Sequence, residues 1–166
     1  MLDDLKYLRY VLRHKWYVYR AGRKLGCGVV QLLIHDLSKF SKAEWKPYGD
    51  RFIRKIENKA DFYIALQHHY ANNPHHWNFW VDIITEKAFP MPHFYLVEMV
   101  ADWMGAGKAK TGSWDIIEWY DKNRNKINLH PFTRTVVESL IPGWDEHYNK
   151  KLMEDNVYYF TGKVRS

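Results

Sequence analysis

Val29-Val30-Gln31-Leu32-Leu33-Ile34-His35-Asp36-Leu37-Ser38-Lys39-Phe40 decides how this chain is read. Its first half is almost wholly apolar, no turn residue interrupts it, and the alternation of a half-buried strand is absent. The tract therefore reads as a largely buried helix from Val29 to Phe40, set off by Gly26 and Gly28. His35 and Asp36 sit at the end of that apolar run. Packing explains two ionisable side chains there poorly, because burying an unpaired charge is expensive. Imidazole and carboxylate are, however, the donors that first-row divalent ions favour.

Outward from this tract, helical spacing recurs and period-2 alternation almost vanishes, so the fold class is all-α. Leu5, Leu8, Val11 and Leu12 line one face of a first helix running from about Leu2 to Arg23. Ser41 followed by Glu44 is a capping-box pattern that opens a third helix, with a bend expected at Pro47. Further helices are expected from Ala60 to Tyr70, from His76 to Lys87, and from His93 to Met104, the last closed by Gly105 and Gly107. Ser113 caps another through about Lys122, and shorter ones follow near Phe132–Leu140 and Trp144–Glu154. Val157–Ser166 reads as a short strand or a tail. The sum is a single-domain helical bundle over residues 1–166 with about seven to nine helices.

Composition sets the limits. The 166 residues are 46% hydrophobic and 17% aromatic, which excludes a disordered chain and is enough for one proper core. Cys27 stands alone, so there is no intramolecular disulfide framework, and a reducing cytoplasmic setting is expected. No apolar run approaches the roughly 20 residues that span a bilayer, and the charged N-terminus does not read as a signal peptide. The net charge of +6 fits either a solvated basic surface or an anionic substrate. Nucleic acid is not expected as a partner, since no recognition motif accompanies the charge. Homo-oligomerisation stays open.

Four candidate ligands lie in the order His14, His35-Asp36 and Asp102, each inside a stretch that reads as helix. Helices from different parts of a bundle can bring such side chains to one point. Asp102 is embedded in Met99-Val100-Ala101-Asp102-Trp103-Met104, where coordination is one way to stabilise a buried carboxylate and an Arg partner is another. His14, between Arg13 and Lys15, also suits solvent. Two more pairs, His68-His69 and His75-His76, lie between the doublet and Asp102. Adjacent helical residues point about 100° apart, so one member of each pair is expected inward and one outward. Lys39 lies three residues after Asp36, on nearly the same helical face, and Glu98 lies one turn before Asp102. Glu98 is placed to orient a ligand, to shuttle a proton, or to pair with Lys108. Tyr70, Trp77, Trp80 and Trp103 read chiefly as packing, with stacking on a nucleobase as the alternative. His93, His130 and His147 fit no defensible spacing.

The ordered set His14, His35, Asp36, Asp102 resembles that of the HD-domain superfamily of metal-dependent phosphohydrolases, all-α bundles named for the adjacent His-Asp pair. The resemblance spans residues 5–107 and leaves 112–166 as a helical extension. His35-Asp36-Leu37-Ser38-Lys39 is similar to the His-Asp-x-Gly-Lys tract of the superfamily's cyclic-dinucleotide phosphodiesterases, with Ser38 in place of Gly, but the Gly-Tyr-Pro signature of that branch is missing. The wider string of His-Asp-Leu-Ser-Lys-Phe, the histidine pairs and Glu-Met-Val-Ala-Asp-Trp also resembles an uncharacterised family of bacteria and their phages, which carries no activity with it. The superfamily resemblance implies one or two divalent ions (Mn, Fe, Co, Ni, Zn or Mg), the first held by His14, His35, Asp36 and Asp102, with His69 and His76 added for a second. It implies a small phosphorylated substrate, preferably a nucleotide, contacted by Lys39, His68 and His75, with Lys39, His69 and Glu98 in catalytic roles. Two alternatives remain at this point: a di-iron oxygenase of the same superfamily, and a non-catalytic protein that binds a nucleotide or a host factor.

Overall fold

The computed structural model describes residues 2–151, and among them the chain is an all-helical bundle. Helix α1 spans Leu2–Leu25, α2 Val29–Ile34, α3 Lys42–Gly49, α4 Lys59–Asn72, α5 His93–Thr111, α6 Ile117–Asn123 and α7 Pro131–Leu140, followed by helical turns over 144–151. Leu37–Phe40 and Trp77–Trp80 are 3-10 turns, and α3 runs directly into a π-helical turn, Asp50–Arg54, just past Pro47. The region expected at Val157–Ser166, and the end of the helix expected to reach Glu154, lie outside the described residues. No helix among the described residues is long and apolar enough to cross a membrane.

The bundle is organised around α1 and α5, its most extensively packed pair. Tyr7, Val11, His14, Val18 and Ala21 recur at three- and four-residue steps and form the buried face of α1. That face crosses α5 where Gly105 has no side chain. A Cβ there would lie 2.7 Å from the backbone nitrogen of Val18. Gly105 is thus a contact and not a stop: α5, expected to close at Gly105 and Gly107, continues through both in helical conformation. It ends at Gly112, whose φ of 80° is the left-handed conformation that costs glycine least and whose N–H closes on the Lys108 carbonyl.

Three apolar clusters surround the junction. Tyr7, Val11, Tyr48 and Ala65 form one, and Val18, Ala21, Leu32, Val97 and Ala101 a second. Met99, Val100, Tyr120, Val137 and Trp144 belong to the third, so the region after Gly107 completes the core. Each fully buried aliphatic or aromatic side chain among them contributes roughly 1.5–3 kcal/mol. His14 lies on α1 between Val11 of the first cluster and Val18 of the second. A polar centre is thereby embedded where the apolar layers meet.

Several sequence expectations need correction. Leu5 and Leu12, expected on the inner face of α1, are more than half exposed. Ser113 caps no helix, because α6 begins at Ile117 and the Ser113 hydroxyl accepts from the Asp115 N–H in the loop before it. The helix expected from Val29 to Phe40 ends at Ile34, because Asp36 adopts φ 57°, a left-handed conformation that Asp tolerates better than most residues. Nor is α2 largely buried: Leu32 faces the core, while Val30, Leu33 and Ile34 face outward. The helix expected from His76 to Lys87 is also absent. After Trp77–Trp80 the chain extends, Val81 bridges Ala88, and the Asp82 carboxylate accepts the N–H groups of Ile84 and Thr85. Ile83 and Ile84 point to solvent, so a helix here had no face to bury.

Candidate metal centre

His14, His35, Asp36 and Asp102 meet at one point, their donor atoms all within 4.8 Å of one another. His14 Nε2 lies 3.2 Å from Asp36 Oδ2 and 3.1 Å from Asp102 Oδ1. His35 Nε2 lies 3.3 Å and 3.6 Å from the same two oxygens. Donors that each sit about 2.0–2.2 Å from a shared ion are separated by roughly 3.0–3.5 Å at octahedral or tetrahedral angles, so these spacings fit a cation. The residues converge because α1 and α5 touch one turn away, at Val18 and Gly105, and because the turn at Asp36 aims the doublet inward.

Asp36 has a second oxygen, and a second set of donors faces it. His69 Nε2 lies 3.4 Å and His75 Nε2 3.5 Å from Asp36 Oδ1. His76 Nε2 is 2.8 Å from His69 Nε2, and Asp36, His75 and His76 also group as potential ligands. One carboxylate thus stands between two donor sets. The expected division within each histidine pair holds for the first: His69 is buried and inward, whereas His68 is partly exposed. It fails for the second, where both members turn inward. His75 and His76 lie in the loop after α4, with His76 in an extended conformation, so the 100° rule of a helix does not apply. The structure therefore places His75, expected to contact substrate, among the candidate ligands.

Two buried glutamates fix the imidazoles. Glu98 Oε1 accepts from His35 Nδ1 at 2.8 Å and from His75 Nδ1 at 3.2 Å, while Gln31 donates to Oε2 at 2.6 Å. Glu44 Oε2 accepts from His69 Nδ1 at 2.9 Å, and Oε1 from His68 Nδ1 at 2.7 Å. A carboxylate only accepts, so each Nδ1 carries the proton, and the Nε2 lone pairs of His35, His69 and His75 point at the centre. Glu98 is accordingly a brace, not a partner of Lys108, whose ammonium instead donates to the Gly112 carbonyl. Among the described residues, His35 Nε2, Asp36 Oδ1 and His75 Nε2 are buried with no hydrogen-bond partner. Buried polar atoms are rarely left so, and these fit sites made for a cation, His35 Nε2 in the first donor set and Asp36 Oδ1 with His75 Nε2 in the second.

The charges agree. Burial works against ionised Asp36 and Asp102, but the imidazoles and, at Asp36, Lys39 outweigh it and hold both carboxyls well below the usual range. Burial likewise opposes a proton on His35, yet Asp36, Asp102 and Glu98 raise its proton affinity well above the ordinary value. His76 is driven well below it by burial and by its neighbour His75, which suits a neutral ligand. Glu98, despite burial, is brought down to about 2 by His35 and His75.

Lys39 Nζ reaches Asp36 Oδ2 at 2.5 Å. Burial disfavours its charge, but Asp36 and Asp102 more than compensate and keep it protonated. The rim of the centre is identifiable from its side-chain exposure: 9% at His14, 12% at Asp102 and 13% at Lys39, against 0% at His35. Beside His35 and His75 there is also a cavity of about 460 Å³, bounded by Asn73, Phe94, Tyr95 and Glu98, within the range that small ligands occupy. The aromatics read as packing do pack. Trp103 lies against Trp119 and Tyr120, and Trp80 lies against Tyr95 while its indole N–H bonds the Pro74 carbonyl. His130, which fitted no spacing, caps α7 by accepting the Phe132 N–H.

Three contributors escaped the sequence. Glu44 was absorbed by the capping-box reading, yet Ser41 makes no side-chain cap bond and Glu44 is fully buried against the histidines. Lys15 donates to the main-chain carbonyls of His35 and Leu33, tying α1 to the ligand turn. Asn73 donates to the Ser38 hydroxyl at 2.7 Å and to the His69 carbonyl at 2.7 Å. The one usable signal was Glu44 itself, an acid with histidines free to accept it as partner.

Residues 3–143 match the model of a family described as Family of unknown function (DUF5662), and the chain belongs to that family. No curated protein and no solved structure matches the chain.

Proposed function

We propose that this family member is a metal-dependent phosphohydrolase of HD-domain type, acting in the cytoplasm on a nucleotide or a related small phosphoester. One observation carries the reading: the two oxygens of Asp36 face separate sets of inward imidazole lone pairs, with unpartnered buried donors between them. That is the donor chemistry of one or two divalent ions. His14, His35, Asp36 and Asp102 would hold the first, and His69, His75 and His76, with Asp36 shared, the second. Such an ion supplies Lewis acidity and a water activated near neutral pH.

The protein's own groups do the rest. Glu98 and Glu44 hold the imidazoles in one tautomer and one orientation. Lys39, on the rim and kept charged by Asp36 and Asp102, neutralises negative charge building on the phosphoryl oxygens. The net charge of +6 favours an anionic substrate, and the cavity beside His35 and His75 gives it room next to the centre.

Elemental analysis of the purified protein, followed by a screen of nucleotides and generic phosphoesters with added divalent ions, tests this. Metal-dependent release of phosphate or nucleoside is expected. Turnover by thoroughly metal-free protein would overturn it. The seven candidate ligands, Asp36 included, also favour a second reading, a di-iron oxygenase. Two irons per chain with no phosphoester turnover would select that one, and nucleotide retained without product would select a binding protein.

A further inference from the structure

The outer face of α2 is apolar where solvent should be met. Val30 is 71% exposed, Leu33 59% and Ile34 57%, and their spacing of three and four residues puts them on one ridge. Leu37, just past the ligand turn, is exposed as well, and Leu12 and Trp16 of α1 flank the ridge across a shared groove, all at least half exposed. Between α1 and α2 lies a groove of about 250 Å³, lined by Leu12, Lys15, Trp16, Tyr19, Leu32 and Leu33. Lys15 is the one charged residue in that lining, and its ammonium is turned inward onto the carbonyls of His35 and Leu33. Scattered exposed apolar residues are ordinary, but a contiguous ridge and groove are not.

We infer that this ridge and groove form a two-fold interface between two copies of the chain. Three features select a second copy as the occupant. The six exposed side chains present on the order of 600 Å² of mostly apolar surface, most of the roughly 800 Å² that each partner gives to a standard interface. The groove lies directly beside the ridge, with Leu33 shared between them, so a two-fold axis can seat the Val30–Leu33 ridge of each copy against the groove of the other. The groove is also free of outward charge. Under a two-fold axis residue i meets residue j and j meets i, so an uncharged groove and ridge come together without burying an unpaired charge. Arg9 and Arg20, three residues before Leu12 and four after Trp16, stay in the solvated rim. The interface is independent of the chemistry at the metal centre.

Sedimentation equilibrium and light scattering on the full chain test it. The protein should have twice the chain mass at micromolar concentration. Val30→Asp and Leu33→Asp should each weaken self-association by at least about 30-fold, the effect of losing an interface hot spot. Circular dichroism should not change, because both side chains are exposed in the single chain, and Tm should fall only by the concentration-dependent part that self-association contributes. Phe132→Asp, at a 63% exposed residue of α7, serves as the control and should leave the dimer intact. A monomer at about 100 µM, or a dimer that survives both aspartates, would overturn the inference. So would a monomer that sediments with anionic vesicles, or one that dimerises only after removal of residues 152–166.

Discussion

The two halves of the candidate centre share Asp36 and differ in nearly everything else. His14, His35 and Asp102 come from α1, the end of α2 and the middle of α5, and mix imidazole with carboxylate. Their helices include the most extensively packed pair in the molecule. His69, His75 and His76 are all imidazoles, and two of them belong to the loop after α4. The first half is positioned by the core; the second is positioned by the end of α4, by the loop after it and by Glu44, with Glu98 steadying His75. An ion in the first should bind more tightly, and dialysis against a chelator should remove the second ion first.

The sharpest way to break this comparison is Asp36→Ala, which removes the shared ligand. Both ions and all phosphoester turnover should vanish, read by elemental analysis and phosphate release; an active metal-free variant would refute the assignment. His76→Ala comes next and should act on one half only, leaving about one ion per chain where the wild type holds two, whereas His35→Ala should act first on the other half, that of Asp102 and His14. Below these lie the braces. Loss of such a partner costs roughly 10–100-fold in metal affinity. Glu98→Gln should fall at the upper end, because Glu98 holds one imidazole from each half, and Glu44→Gln lower, with its effect confined to the second ion. His68→Ala, the partly exposed partner of Glu44, should change affinity and turnover by less than about threefold.

Proton linkage separates the states in another way. His35 holds its proton more tightly folded than unfolded, so its contribution to metal-free stability is complete at low pH and lost as pH rises through the folded value. Asp36 and Asp102 are depressed, so theirs is present above the ordinary carboxylate range and lost as pH falls through the lowered values. The metal-free Tm should therefore decline toward alkaline pH as well as in acid. With an ion in place of the His35 proton, the alkaline decline should disappear, and metal affinity should drop as the pH is lowered.

How much of this was legible in the sequence depended on the scale of the signal. The existence of α1 and α5 was visible from their helical spacing, but the face of α1 was not: of Leu5, Leu8, Val11 and Leu12 only Val11 is fully buried, and the core side is the one that carries Tyr7, His14 and Val18. The first ligand set was visible because His35-Asp36 and Asp102 have no packing reason to sit where they do. The break at Asp36 was not, since nothing in Leu32–Leu37 disfavours a helix and only the tertiary pull of His14, Lys39 and Lys15 rewards leaving it. Glu44 was hidden by a stronger local pattern. The inward turn of both His75 and His76 depends on loop conformation that no periodicity encodes. Gly105 looked like a stop and proved to be a contact.

That contact sets a tolerance. Val18 is one turn beyond His14 and Gly105 one turn beyond Asp102, so the gap between two opposing donors is gauged by backbone resting on backbone. Coordination bonds accept errors of only about 0.2 Å. Any side chain at position 105 would act as a shim, spreading the jaws of the caliper by more than that while leaving the remainder of the bundle to close around it.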